Sequence, residues 1–120
     1  MALFTKSIQA KTSKKDGIRI CIMRRPDAWA KYDIWMPTLA PSHKLLDDAH
    51  AKIIDWNGYE KRFYKEVIIG QKEHLELLCE MAEKRDITIL CWEKTPEHCH
   101  RRLVAEACAR IIPKLKITVK

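Results

Sequence analysis

The chain lacks any apolar run near the roughly 18 residues that a membrane-spanning helix needs. Its opening segment, MALFTKSIQAKTSKKD, lacks the apolar stretch of an export signal. The first absence excludes a helical membrane span, and the second leads to the expectation of a cytoplasmic protein. Glycine is scarce at three residues in 120, proline stops at five, and no internal repeat or low-complexity segment occurs. That composition excludes a disordered or linker-like chain, which would be poorer in aliphatics and aromatics. Disulfide staples are not expected either. The five cysteines, at 21, 79, 91, 99 and 108, are odd in number and no export signal precedes them, so reduced thiols are the expectation.

What is present is enough for one core. Hydrophobic residues make up 47% of the chain, and residues 1–120 are expected to form a single domain burying roughly two thirds of the unfolded surface. The net charge of +7 is unevenly placed: residues 1–31 carry eight Lys and Arg against two acids, residues 94–120 seven against two, and the middle eight against twelve. If the two ends lie side by side, they make a positive face suited to phosphate, carboxylate or nucleic acid; a solvated basic surface is the plain alternative.

The segment IRICIM (18–23) follows the turn-like KKDG and reads as a central strand buried on both faces. A weaker strand fits Leu3 to Ser7. The stretch RRPDAWAKYDIWMPTLAPS holds three prolines and no sustained period, so it reads as loop with one helical turn at most. Helical spacing begins after Pro41 with Leu45, Leu46 and Ala49. It resumes after DWNG with Tyr59, Phe63 and Val67, and again over 71–84 with Leu75, Leu78, Cys79 and Ala82. DITILC (86–91) is a compact β-branched strand. Thr95, Pro96 and Glu97 then look like a helix start, with a hydroxyl cap, a proline at the first helical position and an acid near the positive end of the helix. That helix is expected to end at Ile111 or Ile112, before Pro113. KLKITVK alternates as an edge strand with one wet face. Strand, helix, strand in this order predicts a parallel βαβ unit. The fold class is therefore α/β: a Rossmann-like domain with a small, mainly parallel sheet flanked by helices.

Ligands of open α/β sheets bind beyond the carboxyl ends of the strands, where the next helix presents its N-terminus. CWEKTPEHCHRRL (91–103) lies there. Cys91 would end the strand, Glu93 would sit in the loop, and Cys99, His100 and Arg101 would occupy the second helical turn. Backbone N–H groups and neighbouring positive charge would favour an anion, including a thiolate. Against this, Cys99, Leu103, Ala107 and Ile111 form a helical stripe, and a cysteine on such a face is a small inert hydrophobe. Cys21, Cys79 and Cys108 fit core positions. Arg24 and Arg25 follow the IRICIM strand and would reach the same edge, able to meet an anion with multi-donor geometry or to remain ordinary surface arginines. Asp33, Trp35 and Ser42 belong to the irregular segment that would wall or cover the site. Cys91, His98, Cys99 and His100 also form a candidate metal set. Their C-x7-C-H spacing is not a usual zinc pattern, and residues 98, 99 and 100 on a helix would project about 100° apart. No metal and no cofactor is therefore expected.

These residues carry a resemblance. CWEKTPEHCHRRLVAEA resembles the C-x-E…C-H-R signature of the domain of unknown function 488 (DUF488) family, and DGIRICIMRR, IWMPTLAPSHKL and YEKRFYKE resemble further segments of its YeaO-like branch. Where that branch has Trp-Pro-Arg-Gly after the strand, this chain has RRPDAW. The resemblance implies an α/β, Rossmann-like domain and places the family's motif on Cys91, Glu93, Cys99, His100 and Arg101, with Arg24 and the Pro41-Ser42 pair beside it. It implies no reaction.

The leading expectation is a small protein that binds an anionic small molecule, bearing phosphate or carboxylate, at the strand-to-helix junction. Arg101, Arg24, Arg25 and Ser42 would hold it, and Cys99 or Cys91 would act as thiolate nucleophile or redox group, with His100 or Glu93 handling protons. One alternative is a nucleic-acid-binding module using the basic ends, with Trp29, Tyr32 and Trp35 stacking on bases, although no recognised binding motif surrounds them. Another is a metal-stabilised protein. No membrane partner is expected.

Overall fold

The β-branched segments form five strands: β1 (Ala2–Ser7), β2 (Ile18–Cys21), β3 (Ile34–Trp35), β4 (Ile87–Cys91) and β5 (Lys116–Thr118). In the computed structural model, which describes residues 2–120, they build one sheet of order β3-β2-β4-β1-β5 with every pairing parallel. The central strand is β4, all five of whose residues are buried. Its continuous apolar sequence is what a parallel strand covered on both faces requires. β2, read from sequence as central, lies beside β4, and outside it runs the two-residue β3. That short strand carries no pattern because Ile34 and Trp35 are both exposed; backbone bonds hold it, Asp33 N–H to Arg19 O at 2.8 Å and Met36 N–H to Cys21 O at 2.9 Å. β1 is a full interior strand between β4 and β5, and β5 is the edge its alternation predicts.

Four helices follow from the apolar spacing: α1 (His43–His50), α2 (Trp56–Phe63), α3 (Lys72–Lys84) and α4 (His100–Ile111). α2 starts inside DWNG rather than after it, because the Asp55 carboxylate accepts from Gly58 N–H at 2.8 Å and caps the helix there. Between α2 and α3 the chain widens into a π-helical stretch, Tyr64–Ile69, which lets the adjacent Val67 and Ile68 both be buried. All four helices contribute to one apolar cluster with Leu3, Ile20, Ile87 and Ile89 of the sheet and Ile22 just past β2. The alternate side chains Cys21, Met23 and Leu90 form a smaller cluster with Ile8, Ala30 and Tyr32. This is a small α/β, Rossmann-like arrangement, a five-stranded parallel sheet flanked by helices. Among the described residues, no helix is long and apolar enough to cross a membrane.

Two details lock the sheet. Gly17 has φ +64°, and a Cβ there would lie 2.1 Å from the Asp86 carbonyl oxygen, so only glycine lets Ile18 N–H reach that oxygen at 3.0 Å. Asp16, also buried, accepts from Arg19 Nη1 at 2.6 Å and Lys6 Nζ at 3.0 Å. Burial pushes its carboxyl upward. The Ser13 N–H, Lys6 and Arg19 outweigh this and hold it below the usual carboxylate value. The basic ends do lie together, since Ala2 of β1 is opposite Lys116 of β5, but Lys6 and Arg19 share the single carboxylate of Asp16, which offsets one of their two charges.

Candidate functional site at the end of β4

The chain leaves β4 at Cys91 on a rigid footing. Ile8 N–H binds Cys91 O at 2.8 Å and Ile22 N–H binds Leu90 O at 3.1 Å, so both neighbouring strands fix this end of β4. Thr95-Pro96-Glu97 does not start the next helix. It makes a turn closed by Cys99 N–H on Pro96 O at 3.2 Å, and Cys99, extended at φ −139° and ψ 139°, takes the cap position. The local helix signal loses because two side chains dock elsewhere: His98 stacks on Trp56, ring centroids 4.9 Å apart, and Cys99 is buried against Cys91. His100 and Arg101 therefore lie in the first turn of α4 rather than the second.

This shift assembles a cluster that a helix through residue 99 would have dispersed. Cys91 Sγ and Cys99 Sγ are 2.7 Å apart, and His100 Nδ1 is 3.3 Å from Cys91 Sγ. His100 Nε2 lies 2.6 Å from the Ile22 carbonyl oxygen, which can only accept, so Nε2 carries the hydrogen and Nδ1 is left facing the sulfurs. Burial raises both thiols, and the hydrogen bond between them splits their behaviour. Cys91 is pushed up, while for Cys99 the Cys91 S–H, the His100 ring and the Arg101 backbone N–H overcome burial and bring the thiol below its ordinary value. The two sulfurs are thereby differentiated, negative charge being favoured at Cys99 and disfavoured at Cys91.

The cluster lies on the wall of a cavity of about 440 Å³, a size suited to a small organic molecule. Trp56, Tyr59, Trp92 and His98 supply aromatic surface, and Glu93, exposed, lines the same space. Burial, then the neighbouring sulfur charges, pushes the Tyr59 hydroxyl far up, so it stays a proton donor. Trp56, Trp92 and His50 were missed by sequence reasoning. The i, i+3 pair Trp56 and Tyr59, stacked at 5.1 Å, was the available signal, hidden because DWNG reads as a turn.

The predicted anion ligands are distributed differently. Arg24 and Arg25 both line the cavity. Arg24 spends Nε on Pro41 O at 2.9 Å and Nη2 on Pro37 O at 2.8 Å. Arg25 is bonded to His43 and, at 3.0 Å, to Asp47. Each guanidinium has five N–H donors, so neither is exhausted. Arg101 does not line the cavity. It is fully buried, Nη1 donating to Glu93 O at 2.7 Å and Nε to Lys120 O at 3.1 Å, with Nη2 unpartnered. It is a brace that shapes the 92–99 connection, and its charge favours the negative form of Cys91. Ser42 also lies outside the cavity: its oxygen caps α1 by accepting from Leu45 N–H and donates to Glu66 at 2.8 Å. Asp33 and Trp35 are structural as well, accepting from Arg19 N–H and donating to Met23 O.

A family model described as the Active DUF488-N3 subclade matches residues 3–110. The chain belongs to the DUF488 family. The match runs from β1 into the last turn of α4, so in this DUF488 protein it contains the whole cysteine–histidine cluster and every cavity wall. No curated protein and no solved structure matches the chain.

The expected dispersal of residues 98–100 holds for His98 only. Cys91, Cys99 and His100 place three soft or borderline donor atoms within 4.8 Å of one another, and the bond from His100 Nε2 to the Ile22 carbonyl orients the ring as a metal-bound imidazole requires. Tetrahedral zinc, however, holds two sulfurs about 3.8 Å apart, so these would have to separate by about 1 Å.

Proposed function

We propose that this DUF488 protein binds a small anionic molecule in the cavity beside β4 and acts on it through the Cys99 sulfur. The observation that carries the reading is the convergence of Cys91 Sγ, Cys99 Sγ and His100 Nδ1 on the wall of an organic-sized cavity. Cys99 is the nucleophile, His100 receives and returns protons through Cys91, and Arg24 and Arg25 attract the negative group. Buried Tyr59 and the half-buried Trp56 give the cavity an apolar wall. The description of the matched subclade as active supports an enzyme over a passive binding module. The test is the pH dependence of alkylation at each cysteine, read by mass spectrometry on native protein. Cys99 is expected to react at a rate nearly flat from about pH 6 to 8, below the reference thiol value of ~8.5, while Cys21, Cys79 and Cys108 stay inert until unfolding. Inertness of Cys99 until unfolding would remove the reading.

A second reading rests on the same three donors: a metal centre with an open position facing the cavity. It requires stoichiometric metal in the purified protein, and elemental analysis decides it. Retained zinc that blocks alkylation until chelated would replace the nucleophile with a metal ligand.

A further inference from the structure

The chain contains two close cysteine pairs, and their differences are informative. Cys79 Sγ and Cys108 Sγ are 2.9 Å apart between α3 and α4, fully within the apolar cluster and not on the lining of the cavity beside β4. Cys91 and Cys99 are as close, but they have an oriented imidazole and a cavity beside them. A nucleophilic thiolate does not need a second thiol at 2.7 Å for addition to a substrate; thiol–disulfide exchange does, because a mixed disulfide must be resolved.

We propose that Cys99 and Cys91 form a dithiol–disulfide centre whose co-substrate is a low-molecular-weight disulfide bearing carboxylates. This rests on the Cys99 nucleophile described above. The Cys99 thiolate attacks one sulfur of the co-substrate; a new S–S bond forms, the original S–S bond breaks, and one thiolate leaves. Cys91 then gives its proton to His100 Nδ1 and attacks Cys99 Sγ. The Cys91–Cys99 bond forms, the mixed disulfide breaks, and the second co-substrate thiolate departs with the proton from His100. The protein's thiolate and thiol have together lost two electrons, and one external disulfide has become one thiolate and one thiol. The cavity, at about 440 Å³, is far larger than a peroxide oxidant would need. Arg24 and Arg25 on its lining supply the preference for carboxylates.

The test incubates reduced full-length protein with oxidised glutathione, quenches in acid and maps linkages by peptide mass spectrometry. A Cys91–Cys99 bond is expected to form at least about tenfold faster than a Cys79–Cys108 bond, as solvent access dictates. Cys91→Ser is expected to accumulate glutathione on Cys99. Neutral 2-hydroxyethyl disulfide is expected to react more slowly, and equal rates would overturn the carboxylate preference. If no Cys91–Cys99 bond forms while Cys99 still alkylates at low pH, the dithiol centre falls and the nucleophile stands. If Cys99 is inert to both reagents, both fall.

Discussion

His100 is where one side chain decides the chemistry. Its ring is buried, tilted against Phe63 at 5.4 Å and tied to Ile22 O, so the face Nδ1 presents to the sulfurs is not free to turn. His100→Gln removes the imidazole while keeping a polar side chain. At pH 7 it is expected to slow Cys99 alkylation at least about tenfold and to restore a rate that climbs with pH through the ordinary thiol range; an unchanged profile would assign the activation to the Cys91 S–H and the Arg101 backbone N–H. At this scale the sequence was partly legible. The residue types Cys91, Cys99 and His100 were visible in thirteen positions, but their convergence depended on the extended backbone of Cys99, which no spacing rule signals. Arg101 and Ser42 were misassigned for a related reason: a motif shows that a side chain matters without showing whether it faces a ligand or the chain's own carbonyls.

Helix caps give the clearest contrast between expected and observed elements. Thr95 has the sequence of a cap but α4 begins four residues past Pro96, at His100, whereas Ser42 caps α1 in fact. Thr95→Ala should therefore change stability by less than about 0.5 kcal/mol. Ser42→Ala, which also removes the bond to Glu66, should cost about 1 kcal/mol. Urea denaturation of both variants measures the pair, and a larger loss for Thr95 would place the helix start where the sequence expects it. The strands were more readable than the helix boundaries. β1, β2, β4 and β5 follow from apolar runs and alternation, since a strand in a covered parallel sheet has little freedom in composition. β3 was unreadable because it is held by backbone bonds while both its side chains face out.

For the whole molecule, Asp16 sets the acid limit of stability. Its folded-state pKa is lowered, so it contributes stability that is fully present above the unfolded carboxyl value of ~3.9 and is lost as pH falls through the lower folded value. The urea midpoint is expected to drop below about pH 4. Asp16→Asn, which strands the buried Arg19 guanidinium, should cost roughly 3 kcal/mol at neutral pH and flatten that acid limb. The site also has a place in time. The bond that orients His100 reaches Ile22 across 78 residues, and β4 meets β1 across a similar separation, Thr88 opposite Phe4. Contacts so distant along the chain form late and slowly. Until those contacts form, both sulfurs are present in the chain but the imidazole is not aimed at them. The onset of low-pH alkylation at Cys99 thus works as a clock that starts only when β2 has zipped onto β4, and it reports completion of folding from a single atom.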